Sequence, residues 1–258
     1  MAQGSETSIF WARLIFRGLK LLYENRRALP LVIVFFVFFG LLEWRFGDHL
    51  DGNEFRGWLV AVCLYLAKHI VVAFIWLDSC LNTGRNNNLA PRWEKAPSFL
   101  LAQGKFWSLA IIAFLFCLLP SVVIVVASQH YTNIAWWFLT LIPLMGIFFA
   151  LVIQFRLSFL LLDDLSGQKS GVRSVWRKSK GFGRDMALAL MVATVFLAAP
   201  ILLLRYVWAF SPDEMPAAML GAVLNDVAGL MFLSIMVVAY KEAANREVKN
   251  VSIQVESA

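Results

Sequence analysis

Charge is scarce in this sequence. Asp, Glu, Lys and Arg make up 16% of its 258 residues, and hydrophobic residues 60%. A soluble globular chain carries about 25% charged and about 45–50% apolar residues. Too few polar side chains are present to clothe a water-facing surface, which excludes an ordinary soluble domain. Cysteine is equally sparse, at Cys63, Cys80 and Cys117. Two lie inside apolar runs and Cys80 lies just past one, so a disulfide scaffold is excluded and all three read as packing residues. The three histidines, His49, His69 and His130, are too dispersed to build a zinc ligand set, although Asp48 and Asp51 flank the first.

Catalytic signatures are missing as well. The chain has no H-E-x-x-H, no G-x-S-x-G elbow and no G-x-x-x-x-G-K-[ST] phosphate loop. Asp163 and Asp164 form the one paired-acid site near the basic segments. Neighbours on a helix point about 100° apart, so they do not make a carboxylate dyad. These absences predict a protein that is not an enzyme, with no catalytic residues, no metal and no cofactor.

What is present is length and apolarity. A helix needs about 20 mainly apolar residues to cross a hydrocarbon layer about 30 Å thick. Six segments approach or meet that requirement: 29–44, 57–77, 106–127, 135–153, 186–207 and 220–240. None alternates as a barrel strand does. The fold class expected is all-α, a polytopic membrane protein of six transmembrane helices with amphipathic interfacial helices, forming one integral membrane domain over 1–258. Residues 1–7 are small and polar and read as disordered, and 241–258 reads as a tail. Glu43-Trp44-Arg45-Phe46 follows the first apolar run with no small-residue cleavage site, so the start is not read as a cleaved signal peptide.

The basic residues sort by side. Segments 1–28, 78–105, 154–185 and 241–258 hold nineteen of the twenty-three Lys and Arg, and the alternate connections hold three. The positive-inside rule then predicts a bacterial inner-membrane protein with both termini cytoplasmic. Trp44, Trp58, Trp136 and Trp137 fall at predicted outer span ends, where amphipathic rings suit the interface. Arg156 and Arg205, at span ends, are expected to snorkel to headgroups.

Three basic segments each lead into an outward span. In 8–28, Arg13, Arg17, Lys20 and Glu24 form one polar stripe, with Phe10, Trp11, Leu14, Ile15, Leu21 and Leu22 filling the rest. Such a helix is expected to lie in the headgroup plane. Segment 97–105 is a weaker copy. In the third, Val172, Val175 and Trp176 form an apolar face beside Arg173, Arg177, Lys178 and Lys180. Anionic lipids attract such residues by about 1 kcal/mol each. The expected partners are therefore anionic headgroups, and a further membrane protein, rather than nucleic acid. The outward spans start 77 and 80 residues apart, and Pro120 and Pro200 sit at matching depths, suggesting three units of surface helix plus hairpin.

The stretch from 156 to 184 also resembles a late-chain pattern of a broad bacterial inner-membrane group. That group includes YciC-like proteins and the membrane domain of some glycerophosphodiester phosphodiesterases. The pattern is Arg156, an apolar run to Leu162, Asp163-Asp164, then a basic helix ending at Ser179; Trp176 stands where the group carries a small aliphatic residue. The resemblance implies six spans with amphipathic connecting helices. It implies no phosphodiesterase activity, because the soluble catalytic domain of those enzymes is absent.

The intramembrane polar residues are the remaining signal. Lys68 and His69 fall in the second span, Asn225 and Asp226 in the sixth. A lysine at the bilayer centre costs at least about 2.5 kcal/mol, so it should face the bundle and have a partner. The spacing predicts a Lys68–Asp226 pair, with Asn225 or His69 as further partners, chiefly as a structural clasp. Of the glycines, Gly40, Gly146 and Gly221 would permit close helix approach. The leading functional reading is a non-enzymatic accessory, lipid-interacting or assembly component. The alternative is a small-solute or ion transporter or channel centred on Lys68, His69 and Asp226, with prolines 120, 143 and 200 breaking helices. A membrane-embedded lipid enzyme ranks last. A cavity reaching this site would favour transport, and a dry packed bundle the accessory role.

Overall fold

The computed structural model describes residues 10–47, 54–82, 91–128, 136–168, 171–193, 195 and 215–256. Nine helices and two 3-10 turns occur among them, with no strand. They are α1 (Phe10–Glu24), α2 (Leu29–Gly47), α3 (Glu54–Asn82), α4 (Ala96–Ser128) and α5 (Trp136–Leu157). Then follow α6 (Phe159–Ser166), α7 (Val172–Lys178), α8 (182–193) and α9 (Met215–Glu256). Predictions for 1–7, His49, His130, Pro200 and Arg205, and for the side chains of Trp44, Trp58, Trp136, Trp137 and Asn225, lie outside the described residues.

Four helical segments are long and apolar enough to cross a membrane: Leu59–Asn82, Trp93–Pro120, Leu141–Ser166 and Asp226–Arg246. Phe10–Glu24 and Arg26–Leu42 make a fifth if they count as one span, bent by 55°. The bend has local causes. Asn25 leaves the helical path, and its side-chain amide donates to the Leu21 carbonyl at 2.9 Å, closing the last turn of α1. Pro30 then falls in the first turn of α2, where a missing N–H costs little. The expected span 186–207 is described only to residue 193 and at 195, so the six-span reading extends beyond the described residues.

The core lies towards the end of the bundle where the basic segments gather. Trp76, Phe99, Phe155, Phe159, Phe182, Leu162 and Ile235 are almost completely buried there. Away from it, α4 and α5 expose apolar side chains such as Phe116, Leu119, Leu144 and Phe149. Helices apolar on every side fit a hydrocarbon solvent. Pro120 and Pro143 stand inside α4 and α5, which continue through them. Each removes one hydrogen bond to the carbonyl four residues back.

α3 and α9 run side by side in a fixed register. Trp76 Nε1 donates to Ser234 Oγ at 3.0 Å, and Lys68 meets Asp226 eight residues earlier on both helices. The shared offset of 158 residues means the two helices are parallel.

Two expectations need correction. Residues 154–166, expected as a surface connection, continue the helical path, and α6 is buried on nearly every residue. The Schellman end at Gly167 (φ 83°) stops it, with Gly167 N–H donating to the Asp164 carbonyl and Gln168 N–H to that of Asp163. The chain goes deep here because Asp163 finds buried partners. Second, α1 turns Leu14, Gly18 and Leu21 onto the bundle rather than lying wholly in headgroups. A Cβ at Gly18 would stand 2.8 Å from Ile235 Cγ1, so glycine sets the α1–α9 approach. Its far side still exposes Phe16, Leu19 and Tyr23.

Candidate intramembrane ligand site

The site begins with two charges placed where hydrocarbon would penalise either alone. Lys68 Nζ on α3 lies 3.5 Å from Asp226 Oδ1 on α9, and the side chains are 12% and 17% exposed. The ammonium also sits 5.1 Å from the ring centroid of Phe36 on α2, a cation–π distance. One turn along α3, the Tyr65 and His69 rings meet edge to face with centroids 4.0 Å apart. The structure thus brings Lys68, His69 and Asp226 together; Asn225 is adjacent in sequence only.

Beside this pair opens a cavity of about 390 Å³, bounded mainly by α3, α4 and α9, with single residues from α2, α5, α6 and α8. Its wall is mostly apolar, interrupted by Tyr65, His69, Gln103, Gln154 and Asp226. That size and chemistry match small-molecule sites, which occupy about 300–1,000 Å³ and place a few polar groups in apolar walls. Gln103 is 7% exposed, and its Oε1 has no hydrogen-bond partner. An acceptor so buried costs free energy unless something donates to it. Gln103 and Gln154 were not singled out from sequence, because a lone glutamine at a span end looks like an interfacial residue.

A second polar assembly closes the basic end of the bundle. Lys178 Nζ donates to Asp163 Oδ1 at 2.8 Å and to Gln168 Oε1 at 3.1 Å, and Tyr240 OH donates to the same Asp163 oxygen at 2.6 Å. Ser166 Oγ adds a 2.9 Å contact to Tyr240 OH. Burial alone would lower the Lys178 pKa. The hydrogen bonds and charges of Asp163 and Tyr240 outweigh it and hold the ammonium above the ordinary lysine value. Lys178 was expected at lipid headgroups and is instead a buried partner of Asp163, a correction made by Tyr240 and Asp163 lying opposite it. Asp163 therefore binds across helices rather than capping one.

Arg156, expected to snorkel, is partly exposed and also engages α7 and the turn that follows it. Its guanidinium stacks 3.7 Å from the Trp176 ring centroid, donates to the Trp176 carbonyl, and reaches Ser179 Oγ at 3.3 Å. Trp176 thus packs on an arginine rather than serving only as a lipid anchor. Asp164 leaves one buried carboxylate oxygen unpartnered. Asp78, missed from sequence, accepts from Arg92 Nε at 2.9 Å and from the Arg92 backbone at 3.0 Å. Lys241 donates to the Cys80 carbonyl at 2.9 Å.

The other basic residues remain outside. Arg13, Lys20, Arg173, Arg177 and Lys180 are exposed, and Arg17 is exposed while pairing with Glu242. Among the described residues no three His, Cys, Asp or Glu side chains gather as metal ligands. Compared with models of known families, with curated proteins and with solved structures, the chain matches none of them.

Proposed function

We propose that the protein is a six-span, non-enzymatic protein of the bacterial inner membrane, with both termini cytoplasmic, that binds a small molecule inside its helical bundle in the manner of a transporter or carrier. The observation that carries this is the cavity beside the Lys68–Asp226 pair, reached by His69, Gln103 and Gln154. A surface meant only to face lipid would be apolar throughout, whereas this half-open space gathers several polar groups in an apolar wall. The charge pair neutralises itself and so can tolerate the low dielectric while still presenting polar atoms. Extraction of the purified protein should release a bound small molecule in near-equal amount. Ala228→Phe, which projects a ring into the cavity, should lose it while the protein remains monodisperse. Equal recovery from both would overturn the reading.

A second reading has its own observation. Arg13 and Lys20 on α1, and Arg173 and Arg177 on α7, are exposed beside the exposed apolar residues Phe16, Leu19, Val172 and Trp176. That pairing supports accessory binding to anionic headgroups, each cation contributing about 1 kcal/mol. Replacing the four cations by glutamine should abolish enrichment of anionic lipid around the purified protein. Unchanged enrichment would remove this role.

A further inference from the structure

The cavity carries information about its occupant. Two aromatic contacts fix the levels of the polar groups: Phe74 with Phe99, centroids 5.4 Å apart, and Phe155 with Phe232, at 4.8 Å. Counting along the antiparallel α4 from the first places Gln103 near the level of Ile70. Counting from the second, with the 158-residue register of α3 and α9, places Gln154 near Ala73. The polar groups from Lys68 to Ala73 thus fall within about 8 Å of bundle length at 1.5 Å per residue. The α9 lining runs from Asp226 to Met236, about 15 Å by the same rise. One polar band therefore sits in a longer apolar slot.

Three properties select a ligand. First, the band presents acceptors, one of them without a donor. Gln103 Oε1 is buried and unpartnered, and the Asp226 carboxylate lines the cavity. Second, the band is electrically balanced, because Lys68 already faces Asp226 at 3.5 Å. A charged head would add a net charge at membrane depth, which hydrocarbon penalises. Third, the slot is small. Its volume of about 390 Å³ lies near the lower end of the about 300–1,000 Å³ of small-molecule sites. That accommodates a head and the start of one chain, and not two chains. The rim supports the same conclusion: Tyr65, Leu66 and Trp107 are 48%, 40% and 40% exposed on apolar helices, so the opening faces hydrocarbon.

On the reading that this cavity is a binding site, we infer that its ligand is a neutral single-chain lipid with a polyol head, of the monoacylglycerol class, entering from the bilayer. One hydroxyl donates to Gln103 Oε1 and another to the Asp226 carboxylate, while the chain lies along the apolar part of the slot.

The test uses Ala228→Cys in full-length protein carrying Cys63→Ser and Cys117→Ser; Cys80 is fully buried and is kept. N-ethylmaleimide should label Cys-substituted position 228 in membranes. Monooleoylglycerol should slow labelling about tenfold, and oleate and oleylamine at the same mole fraction by less than about twofold; the tenfold effect corresponds to one buried hydrogen bond. Adding Gln103→Leu should remove most of the protection, taken as the ratio of labelling rates without and with lipid in that same variant. Labelling with better protection by oleylamine, or equal protection by all three lipids, would overturn the ligand class and leave the binding site standing. Absence of labelling in a correctly folded variant would overturn the site and the ligand together.

Discussion

Lys68 and Asp226 approach to 3.5 Å on two parallel helices, and Trp76 and Ser234 bond at the same 158-residue offset eight positions later. A slip of either helix by one residue rotates its side chains by about 100° and breaks both links. The pair is therefore a register device as well as part of the cavity wall.

Charge reversal tests it. Lys68→Asp sets two carboxylates together at membrane depth and should abolish accumulation of folded protein, since even one unpaired charge costs at least about 2.5 kcal/mol. Adding Asp226→Lys should restore a monodisperse peak on gel filtration in detergent. A double variant as poorly behaved as the single one would show that the two side chains do not depend on each other.

The basic end should respond differently. Asp163 and Lys178 are both nearly inaccessible, and Tyr240 donates to the same Asp163 oxygen as Lys178, while Asp163 Oδ2 is buried without a partner. Lys178→Met leaves the carboxylate buried beside one tyrosine and should cost about 3–5 kcal/mol, the range for breaking a buried pair. Combining it with Asp163→Leu should recover much of that loss, because well-packed apolar replacements of buried pairs are often neutral. Detergent-phase thermal melting distinguishes the two outcomes; a double variant less stable than Lys178→Met would contradict the argument.

How far the sequence disclosed this arrangement depended on the kind of signal. Apolar runs longer than a bilayer's thickness announce helices directly, and α3, α4, α5 and α9 lie where those runs lie. Lys68 and Asp226 could be matched because isolated charges in hydrocarbon demand partners, and here each span offered few. Asp163 and Lys178 misled, because the same residues at a span end satisfy either headgroups or one another. Only Tyr240, seventy-seven residues away along the chain, settles which. Gln103 carried no signal, since its missing partner is a property of packing rather than of pattern.

Glycines separate in the same way. A Cβ on Gly146 would stand 2.5 Å from the Cys117 carbonyl oxygen, whereas one on Gly40 meets nothing within 4 Å. Gly146→Ala must push α5 away from α4 and should cost about 1–3 kcal/mol, as overpacking does. Gly40→Ala should leave the melting temperature unchanged or slightly higher, since alanine is the better helix former by about 1 kcal/mol in water. Equal behaviour of the two variants in a thermal melt would mean that α4 and α5 do not meet at Gly146.

The acid side of the pH profile should contain a contribution from Asp185. This residue, just before the predicted fifth span, is buried, and burial raises its carboxyl pKa; Arg184, 3.8 Å away, and Arg246 offset only part of that rise. The folded state therefore holds the proton more tightly than the unfolded chain, whose aspartates titrate near about 3.9. Between that value and the raised folded value, stability falls as pH rises, and above the window the penalty stays constant. Asp185→Asn removes the penalty. The variant should melt higher than the parent at pH 7, and the gap should close on acidification through the window. A variant that melts lower at pH 7, with a deficit that grows as pH rises, would show that the arginines bind the carboxylate more strongly than burial opposes it.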